Sequence, residues 1–557
     1  MFCIFTILAI AQFPTNPNVL HAQSIASPYR RSYTEEFPTA PWVPSRRAAE
    51  NPAGGTCRSE VVRGPYRSIQ VNVDGRGCNI LGDAANEPSI AIDPTDLRKI
   101  VIGWRQFDSV VSDFRQAGYA ISQDAGHTWV FPGSLTPGVF GSDPVLATNA
   151  DGTVYYLSIN IDEMRLFRSF DGGVTWEDPI QVIDTFADKP WMAIDRTNGI
   201  GRNNVYICSS GFYPRRSVDE GVTFASIPGG PSCWGGTICV DGDGGVYVAE
   251  GPTTIPIGIA KSSNAADPNL SPTFAQTKWL EVGLYSRDGG APNGMGLLGQ
   301  VWVAANPTTV LSNVHVYVLT LAGVDPLFVD PCDLVFVASA DGGVTWGRPI
   351  VVNDDPLSQN GWQWFDTMSV APNGRIDVIW NDTRNSQQPN LSEVYYSYSN
   401  DGGVTWSPNV PVSPMFDSRV GIPGMNDKLG DYYHMVSDNL GANLAYAATF
   451  NGEQDVYFLR IGPWDCNGNG IDDAVDIAGG TSLDCNANEV PDECEYRADL
   501  ASDGLTTLTD HAAFASTMTG PGQAAISGCD ALLDIDHDGD IDLADFYGLQ
   551  RVFVREP

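Results

Sequence analysis

The chain has 557 residues, more than one ordinary hydrophobic core holds, so we expect more than one domain. It contains 58 glycines, 14 tryptophans and 20 tyrosines, and only 18% of its residues are charged. This mixture is typical of a turn-rich β protein rather than a helical or disordered one. The net charge of −36 excludes electrostatic binding to nucleic acid or to anionic membrane surfaces.

The first residues combine a short apolar run with small residues, and residues 1–22 resemble a secretory signal peptide. The run is too short to span a membrane, and no later segment is long and apolar enough to do so. We therefore expect a secreted or cell-surface protein whose cysteines can form disulfides. Spacing along the chain suggests local pairs of Cys57 with Cys78 and of Cys233 with Cys239. Residues 23–66 are interpreted as an N-terminal linker.

One eight-residue pattern, Ser-x-Asp-x-Gly-x-Thr followed by Trp or Phe, occurs five times after strand-like segments. The five copies are Ser122–Trp129, Ser169–Trp176, Ser217–Phe224, Ser339–Trp346 and Ser399–Trp406. In such a turn the Asp carboxylate accepts hydrogen bonds from nearby backbone N–H groups, and Gly supplies a positive φ. The Thr side chain forms a local hydrogen bond, and the aromatic ring packs between neighbouring sheets. The pattern predicts five hairpin turns of one kind.

These turns resemble the Asp boxes of sialidases and other bacterial-neuraminidase-repeat proteins. The resemblance implies an all-β chain folded as a β-propeller. It also implies that the five Asp residues are structural, because in that family the Asp boxes lie on the face opposite the active site.

The number of blades follows from a second repeat, the innermost strand of each blade, which starts with a polar residue or Trp followed by small and apolar residues. Seven segments fit: 86–92, 142–147, 188–194, 234–240, 300–304, 366–370 and 431–436. We therefore predict a seven-bladed propeller over residues 67–462, with six blades, as in sialidases, as the alternative. The fourth blade has only a degenerate turn at Ser262–Asp267. A strand at 67–73 is expected to complete the last blade and so remove an exposed edge.

Two acidic units follow the propeller. In the first, Asp465, Asn467, Asn469 and Asp473 place oxygen atoms at positions 1, 3, 5 and 9 of a calcium loop. Together the units, residues 463–496, resemble thrombospondin type 3 calcium repeats. The alternative is a polar linker pinned by disulfides.

The last 60 or so residues contain two further acidic loops, each followed by a helix-like segment. The stronger loop has Gly539 at position 6 of the EF-hand pattern and acids at the other ligand positions. These acids are Asp534, Asp536, Asp538, Asp540, Asp542 and Asp545. The weaker loop keeps Asp499, Asp503 and Asp510 but has Ala501 at a ligand position. The pair, residues 497–557, resembles a small α-helical type I dockerin module, which implies bound Ca²⁺ and a cohesin-like protein partner.

In a propeller the starts of the first strands and the ends of the second strands meet on the face opposite the Asp-box turns, which we call the mouth. The first strands place there Glu87, Asp143, Asp188, Lys189, Asp366, Asp431 and Tyr432. The second strands place there Arg105, Asp108, Glu250, Asp382, Arg384 and Glu453. The candidates for catalysis are Asp108, Asp188, Glu250, Asp382 and Tyr432, and those for substrate binding are Arg105, Lys189 and Arg384. The alternative is that these residues cap strand ends and pair with one another.

The resemblance to sialidases implies three arginines for the substrate carboxylate, an Asp acid/base and a Tyr nucleophile activated by Glu. The Phe-Arg-Ile-Pro motif of sialidases is absent, and the matching segment 86–90 has no Arg, so a full arginine triad cannot be assigned. The sequence thus predicts a secreted, sialidase-like, carbohydrate-active propeller that binds or hydrolyses extracellular glycans and carries a calcium-dependent anchoring module. The alternative is a non-catalytic binding scaffold.

Overall fold

A computed structural model describes residues 38–42, 59–251, 255–286, 290–309, 313–325, 327, 329–386, 388–424, 427–485, 489–494, 508–523, 533–534 and 539–551. All of these residues belong to one unit, 35–557.

The described strands form seven antiparallel sheets, arranged as the blades of a propeller. The chain enters through β1 (Glu60–Arg63) and β2 (Tyr66–Gln70). Blade 1 contains β3 (Ala84–Ile92), β4 (Ile100–Phe107), β5 (Gln116–Ser122) and β6 (Val130–Ser134). Blade 2 contains β7 (Ser142–Thr148), β8 (Val154–Ile159), β9 (Met164–Ser169) and β10 (Ile180–Ile183). Blade 3 contains β11 (Trp191–Ile194), β12 (Val205–Ser209), β13 (Phe212–Ser217) and β14 (Ala225–Ser226).

The remaining blades follow the same general order, with one additional short strand in each of blades 5 and 6. Blade 4 contains β15 (Ile238–Val240), β16 (Val246–Glu250), β17 (Ile257–Ser262) and β18 (Lys278–Leu280). Blade 5 contains β19 (Tyr285–Ser286), β20 (Trp302–Ala305), β21 (Val316–Gly323), β22 (Asp333–Ser339) and β23 (Ile350–Val351). Blade 6 contains β24 (Gln363–Val370), β25 (Ile376–Asp382), β26 (Leu391–Ser399), β27 (Val410–Pro411) and β28 (Phe416–Asp417). Blade 7 contains β29 (His434–Ser437), β30 (Ala442–Ala448) and β31 (Asp455–Ile461).

The last blade is closed by the N-terminal end of the propeller. Strand β2 pairs with β31, with Ser68 opposite Leu459 and Gln70 opposite Tyr457. This pairing confirms the predicted closure by the strand that starts near residue 67, and the seven sheets show that the six-bladed alternative is wrong. Joining the two ends in one sheet leaves no unpaired seam in the ring.

The blades pack closely because small residues face large ones. Strands β3, β4 and β30 are buried along their whole length, since neighbouring blades cover both of their faces. At Gly103 in β4, an added Cβ would lie 2.3 Å from the ring of Tyr156 in blade 2. Only glycine leaves room for that ring, which explains a glycine inside a central strand.

The five repeated turns join the third and fourth strands of blades 1, 2, 3, 5 and 6 on one face of the propeller, which we call the turn face. In the blade 2 copy, the Asp171 carboxylate accepts hydrogen bonds from the Thr175 N–H at 2.9 Å, the Thr175 hydroxyl at 2.6 Å and the Ser169 hydroxyl at 2.8 Å. The ring of Trp176 then packs on Tyr119 of blade 1, with centroids 5.6 Å apart. Each turn therefore fastens its blade to the preceding one.

The degenerate turn of blade 4 keeps part of this geometry. Asn264 takes the place of Asp, and its side-chain oxygen accepts hydrogen bonds from the Ser262 hydroxyl at 3.1 Å and from the Thr273 N–H at 2.9 Å. An amide oxygen can accept these bonds as a carboxylate does.

The structure contradicts one of the two disulfides that the spacing suggested. Cys208 in β12 is bonded to Cys233, with Cα atoms 5.7 Å apart, and Cys239 is a free thiol. The predicted Cys233–Cys239 pair is therefore wrong, because the chain between β14 and β15 returns Cys233 to its own blade. Cys78 is in a disulfide, and its predicted partner Cys57 lies outside the described residues.

Beyond the propeller the described chain forms three helices and a 3₁₀ turn. These are α1 (Asp473–Gly479), the 3₁₀ turn Asp492–Cys494, α2 (Leu508–Thr517) and α3 (Leu543–Arg551). The segment around the Cys466–Cys494 disulfide rests on blade 1, where Arg98 donates a 2.9 Å hydrogen bond to the Glu493 carbonyl. Helices α2 and α3 meet through Phe514 and Phe546, whose ring centroids are 5.9 Å apart. No helix in the described ranges has the length and apolar character needed to cross a membrane.

Candidate functional site

Three consecutive blades turn a charged residue inward at the mouth through a backbone irregularity. Glu87, Asp143 and Lys189 have φ values of 57°, 47° and 50°, a left-handed conformation that costs a non-glycine residue about 1–3 kcal/mol. Each precedes a proline, and the strand pairing shifts register at the first two positions. Bulges of this kind re-aim side chains. The repeated irregularity therefore directs these three side chains toward one another.

They meet in what we call the mouth cluster, which joins blades 1, 2, 3 and 7. Its members are four acids, Glu87, Asp143, Asp188 and Asp431, and four bases, Arg105, Arg115, Lys189 and Lys428. The Lys189 ammonium lies 2.5 Å from Asp431 and 3.5 Å from both Asp143 and Asp188. Lys428 lies 2.7 Å from Asp431, and Arg105 lies 3.1 Å from Glu87. The cluster thus pairs opposite charges across four blades.

The mouth cluster is closed to solvent. Its most exposed member, Lys428, is only 7% exposed, and Glu87, Arg105, Arg115 and Asp143 are fully buried. Charges buried to this degree persist only when they are paired. The ion pairs of Lys189 and Lys428 with the neighbouring acids meet that condition.

Burial and pairing separate the pKa values of the acids. Burial raises the pKa of Glu87 to about 8 and that of Asp188 to about 6, although the neighbouring cations oppose it. Burial also acts on Asp143 and Asp431, but there the charges of Lys189 and Lys428 outweigh it and lower both pKa values. Glu87 is therefore the acid that keeps its proton at neutral pH, while Asp143 and Asp431 stay ionised.

Tyr432 adjoins the mouth cluster but is engaged elsewhere. Its hydroxyl donates a 2.8 Å hydrogen bond to the Pro144 carbonyl, and its ring packs edge-on against Trp191 at 5.3 Å. Burial raises the pKa of Tyr432 well above its usual range. A phenol in this state is a structural contact rather than a poised nucleophile.

Asp382 and Arg384 form a separate cluster in blade 6. The Arg384 guanidinium lies 2.7 Å from Asp382, 3.3 Å from Asp355 and 2.5 Å from Asp354, and it stacks on the Tyr395 ring at 4.4 Å. Asp382 is buried and also accepts a 2.8 Å hydrogen bond from the Trp380 indole. Both carboxylate oxygens of Asp382 accept hydrogen bonds, and much of the guanidinium is bound by Asp382 and by the two acids of the segment that links blades 5 and 6.

The other predicted residues have their own surroundings. Asp108 accepts hydrogen bonds of 2.9 Å from both Trp42 and Gln116. Glu250 ends β16, is half-buried, and has a pKa raised by burial. Asp366 is buried in β24, where burial raises its pKa well above the usual range, and Glu453 accepts a 2.7 Å hydrogen bond from the Gly82 N–H. Of the eight residues predicted for catalysis and substrate binding, Arg105, Asp188 and Lys189 lie in the mouth cluster and Tyr432 adjoins it.

Two members of the mouth cluster were missed from the sequence. Arg115 precedes β5, the third strand of blade 1, and third strands also begin at the mouth. Lys428 stands three residues before Asp431 in the loop that leads into β29. The first could have been found by including the starts of third strands. The second follows only from the folded loop, which curls the lysine back onto Asp431.

The predicted calcium loop at 534–545 is described in part, since Asp536 and Asp538 lie outside the described residues. Carboxylate oxygens of Asp540, Asp542 and Asp545 lie within 4.8 Å of one another. One oxygen of Asp534 is buried without a hydrogen bond, and the other accepts the Gly539 N–H at 2.9 Å. The buried Asp534 oxygen and the group of Asp540, Asp542 and Asp545 both offer the carboxylate oxygens that a hard cation such as Ca²⁺ prefers.

The other two predicted calcium loops, at 499–510 and 465–473, show no comparable group of carboxylates among the described residues. Asp499 and Asp503 lie outside the described residues, as does the side chain of Asp510. In the unit at 465–473, Asp465 accepts hydrogen bonds from the N–H groups of Asn469 and Gly470. The amides of Asn467 and Asn469 donate to Glu493 and Asp476. Burial, followed by repulsion from Asp465, raises the pKa of Asp473 to about 6.

No protein family and no curated protein matches this chain in sequence. Solved structures do resemble it. A Dyadobacter fermentans protein of unknown function is 13% identical, with a TM-score of 0.37 over 73% of this chain and 98% of its own. A Niastella koreensis GH74 enzyme is 14% identical, with a TM-score of 0.33 over 72% of each chain. A Hadza microbial sialidase is 13% identical, with a TM-score of 0.36 over 68% of this chain and 66% of its own.

Proposed function

We propose that this protein is a secreted, glycan-binding propeller whose mouth is non-catalytic, with a calcium-dependent module at its C-terminus. The observation that carries the non-catalytic assignment is the mouth cluster: four acids meet four bases, and no member is more than 7% exposed. The ligand class, an extracellular glycan, rests on the resemblance of the repeated turns to Asp boxes.

Glycoside hydrolysis sets a geometric demand that the mouth cluster does not meet. A glycosidase needs either two carboxyl groups about 5–9.5 Å apart or a Tyr/Glu pair and an acid, facing one open pocket. The split pKa values of Glu87 and Asp143 suit an acid and its partner base, but both groups are fully buried. The phenol of Tyr432 is bonded to the Pro144 carbonyl. These features support binding without turnover.

Calcium completes the proposal for the C-terminal module. Asp534, Asp540, Asp542 and Asp545 would hold the ion, with Asp536 and Asp538 of the same loop. The ion would neutralise the acids and let helix α3 dock beside α2. The resemblance to dockerins extends this to a cohesin-like receptor as the partner of the module.

A glycan array probed with the full chain in calcium, together with a panel of chromogenic glycosides, tests the proposal. We expect binding to at least one array glycan and no release of chromophore. Release of chromophore that is lost in Asp188→Asn would instead make the protein a hydrolase that uses the mouth.

A further inference from the structure

A groove lies on the turn face, opposite the mouth, at the seam between blades 6 and 7. Its volume is about 750 Å³, within the range of about 300–1,000 Å³ typical of ligand sites. We call it the seam groove, and its principal lining residues are Tyr66, Arg375, Tyr398, Asn400, Arg460 and Trp464. Four parts of the chain build it: the start of β2, the turn-face end of blade 6, the turn between β29 and β30, and the segment that leaves β31.

Aromatic rings form much of its wall. Tyr398 is 37% exposed and stacks on Tyr396, with centroids 6.0 Å apart and planes 29° apart. Tyr396 is fixed in turn by a 2.7 Å hydrogen bond to Asp377. Trp464 stacks on His127 of blade 1 at 4.0 Å and 28°. The groove therefore presents flat apolar surfaces that are held in place from behind.

The arginines of the groove are already neutralised. Arg375 is bidentate to Asp377 and also donates to the carbonyls of Asp438, Asn439 and Gly441. Arg460 pairs with Asp438. Arg67 pairs with Glu60 at 2.7 Å. Since each guanidinium has its own carboxylate, the groove offers no unbalanced positive charge to a phosphate, a sulfate or a polyanion.

Uncharged hydrogen-bonding groups stand at the rim. Asn400 and Asn439 are exposed, and within the described ranges their side-chain amides make no hydrogen bond. Each amide offers a donor and an acceptor, which is what a sugar hydroxyl requires. The rings of Tyr66, Tyr398 and Trp464 can meanwhile cover the apolar face of a pyranose ring.

We propose that the seam groove binds a neutral oligosaccharide through these aromatic surfaces and rim amides. This inference rests on the proposed glycan binding and gives it a location away from the mouth. Aromatic walls, paired arginines and the carboxylate of Asp472 favour a neutral, hydroxyl-rich ligand over a sulfated glycan or an acidic peptide.

Isothermal titration of the full chain with cellohexaose, xylohexaose and mannohexaose tests the assignment. We expect at least one hexasaccharide to bind, and Tyr398→Ala to weaken that binding at least about tenfold, a loss of about 1.4 kcal/mol. Tyr398→Phe keeps the ring and should bind within about twofold. Tyr213→Ala removes a tyrosine that is 53% exposed in blade 3 and should bind like the wild type. If Tyr398→Ala melts at a lower temperature than the wild type, Asn400→Ala at the exposed rim carries the same test.

Equal binding by wild type and Tyr398→Ala would show that the seam groove is not the binding site, while glycan binding elsewhere on the protein would stand. Binding of a sulfated heparin hexasaccharide or a peptide in place of the neutral sugars would also overturn the assignment of this groove. If no neutral hexasaccharide binds, the seam groove is excluded. If no glycan on the array binds either, the proposed glycan-binding function is refuted as well.

Discussion

Replacing Lys189 with methionine removes the cation that three carboxylates share at the mouth. Its ammonium lies 2.5 Å from Asp431 and 3.5 Å from Asp143 and Asp188, and only 2% of its side chain is exposed. Methionine keeps most of the buried stem but leaves the acids without their common partner. Breaking a buried ion pair in this way costs about 3–5 kcal/mol, so we expect the urea midpoint of unfolding to fall by roughly 1 M.

The cost should depend on pH in a defined direction. Without the lysine, the pKa values of the three buried carboxylates rise above their unfolded values, so the variant regains stability as these groups are protonated. We expect the largest deficit near pH 8 and a much smaller one near pH 4.5. Arg202→Met, which removes an exposed pair with Asp151, should not move the midpoint. A deficit for Lys189→Met below about 1 kcal/mol, or one that does not change with pH, would refute the view that these charges depend on one another.

Three further predictions concern other parts of the chain. Burial raises the pKa of Glu87 from 4.5 to about 8, so the free energy of unfolding of the wild type should fall as the pH rises through that window. Glu87→Gln should show a smaller fall between denaturation curves measured at pH 5 and at pH 9. An equal fall in both proteins would count against a protonated Glu87. Asp171→Ala removes three hydrogen bonds from its turn and should lower the free energy of unfolding by about 1–2 kcal/mol, measured by urea titration, whereas an unchanged midpoint would show that the turn does not fasten its blade. In scanning calorimetry of the full chain, calcium should raise the melting temperature of the C-terminal module relative to EDTA and should do so less for Asp534→Asn; identical melts would exclude calcium from the 534–545 loop.

The repeated features of the fold could be predicted because each depends on a short stretch of chain. The five turns are specified by eight residues each, and the inner strands by the segments that start them. Closure of blade 7 could be inferred as well, since an unpaired last blade would leave an open edge. The disulfide of Cys233 could not, because its partner is selected by the return of the chain to blade 3.

The candidate sites were only partly predictable, for a physical reason. Lys189 and Asp431 are 242 residues apart in sequence, and their contact exists because blades 3 and 7 face the same mouth. The sequence placed both at the mouth but could not tell that they would pair with each other and shut out solvent. The seam groove combines Tyr66, Tyr398 and Trp464, which come together only when the ring of blades closes.

The central claim, that this propeller binds glycans without cleaving them, is tested most directly on one glycan. The full chain in calcium is incubated with the glycan that gives the strongest array signal, and the bound and free sugars are analysed by mass spectrometry. We predict that the glycan is retained by the protein and recovered at its original mass. Shorter products would contradict this claim. If they are absent when the protein carries Asp188→Asn, the mouth cluster is catalytic.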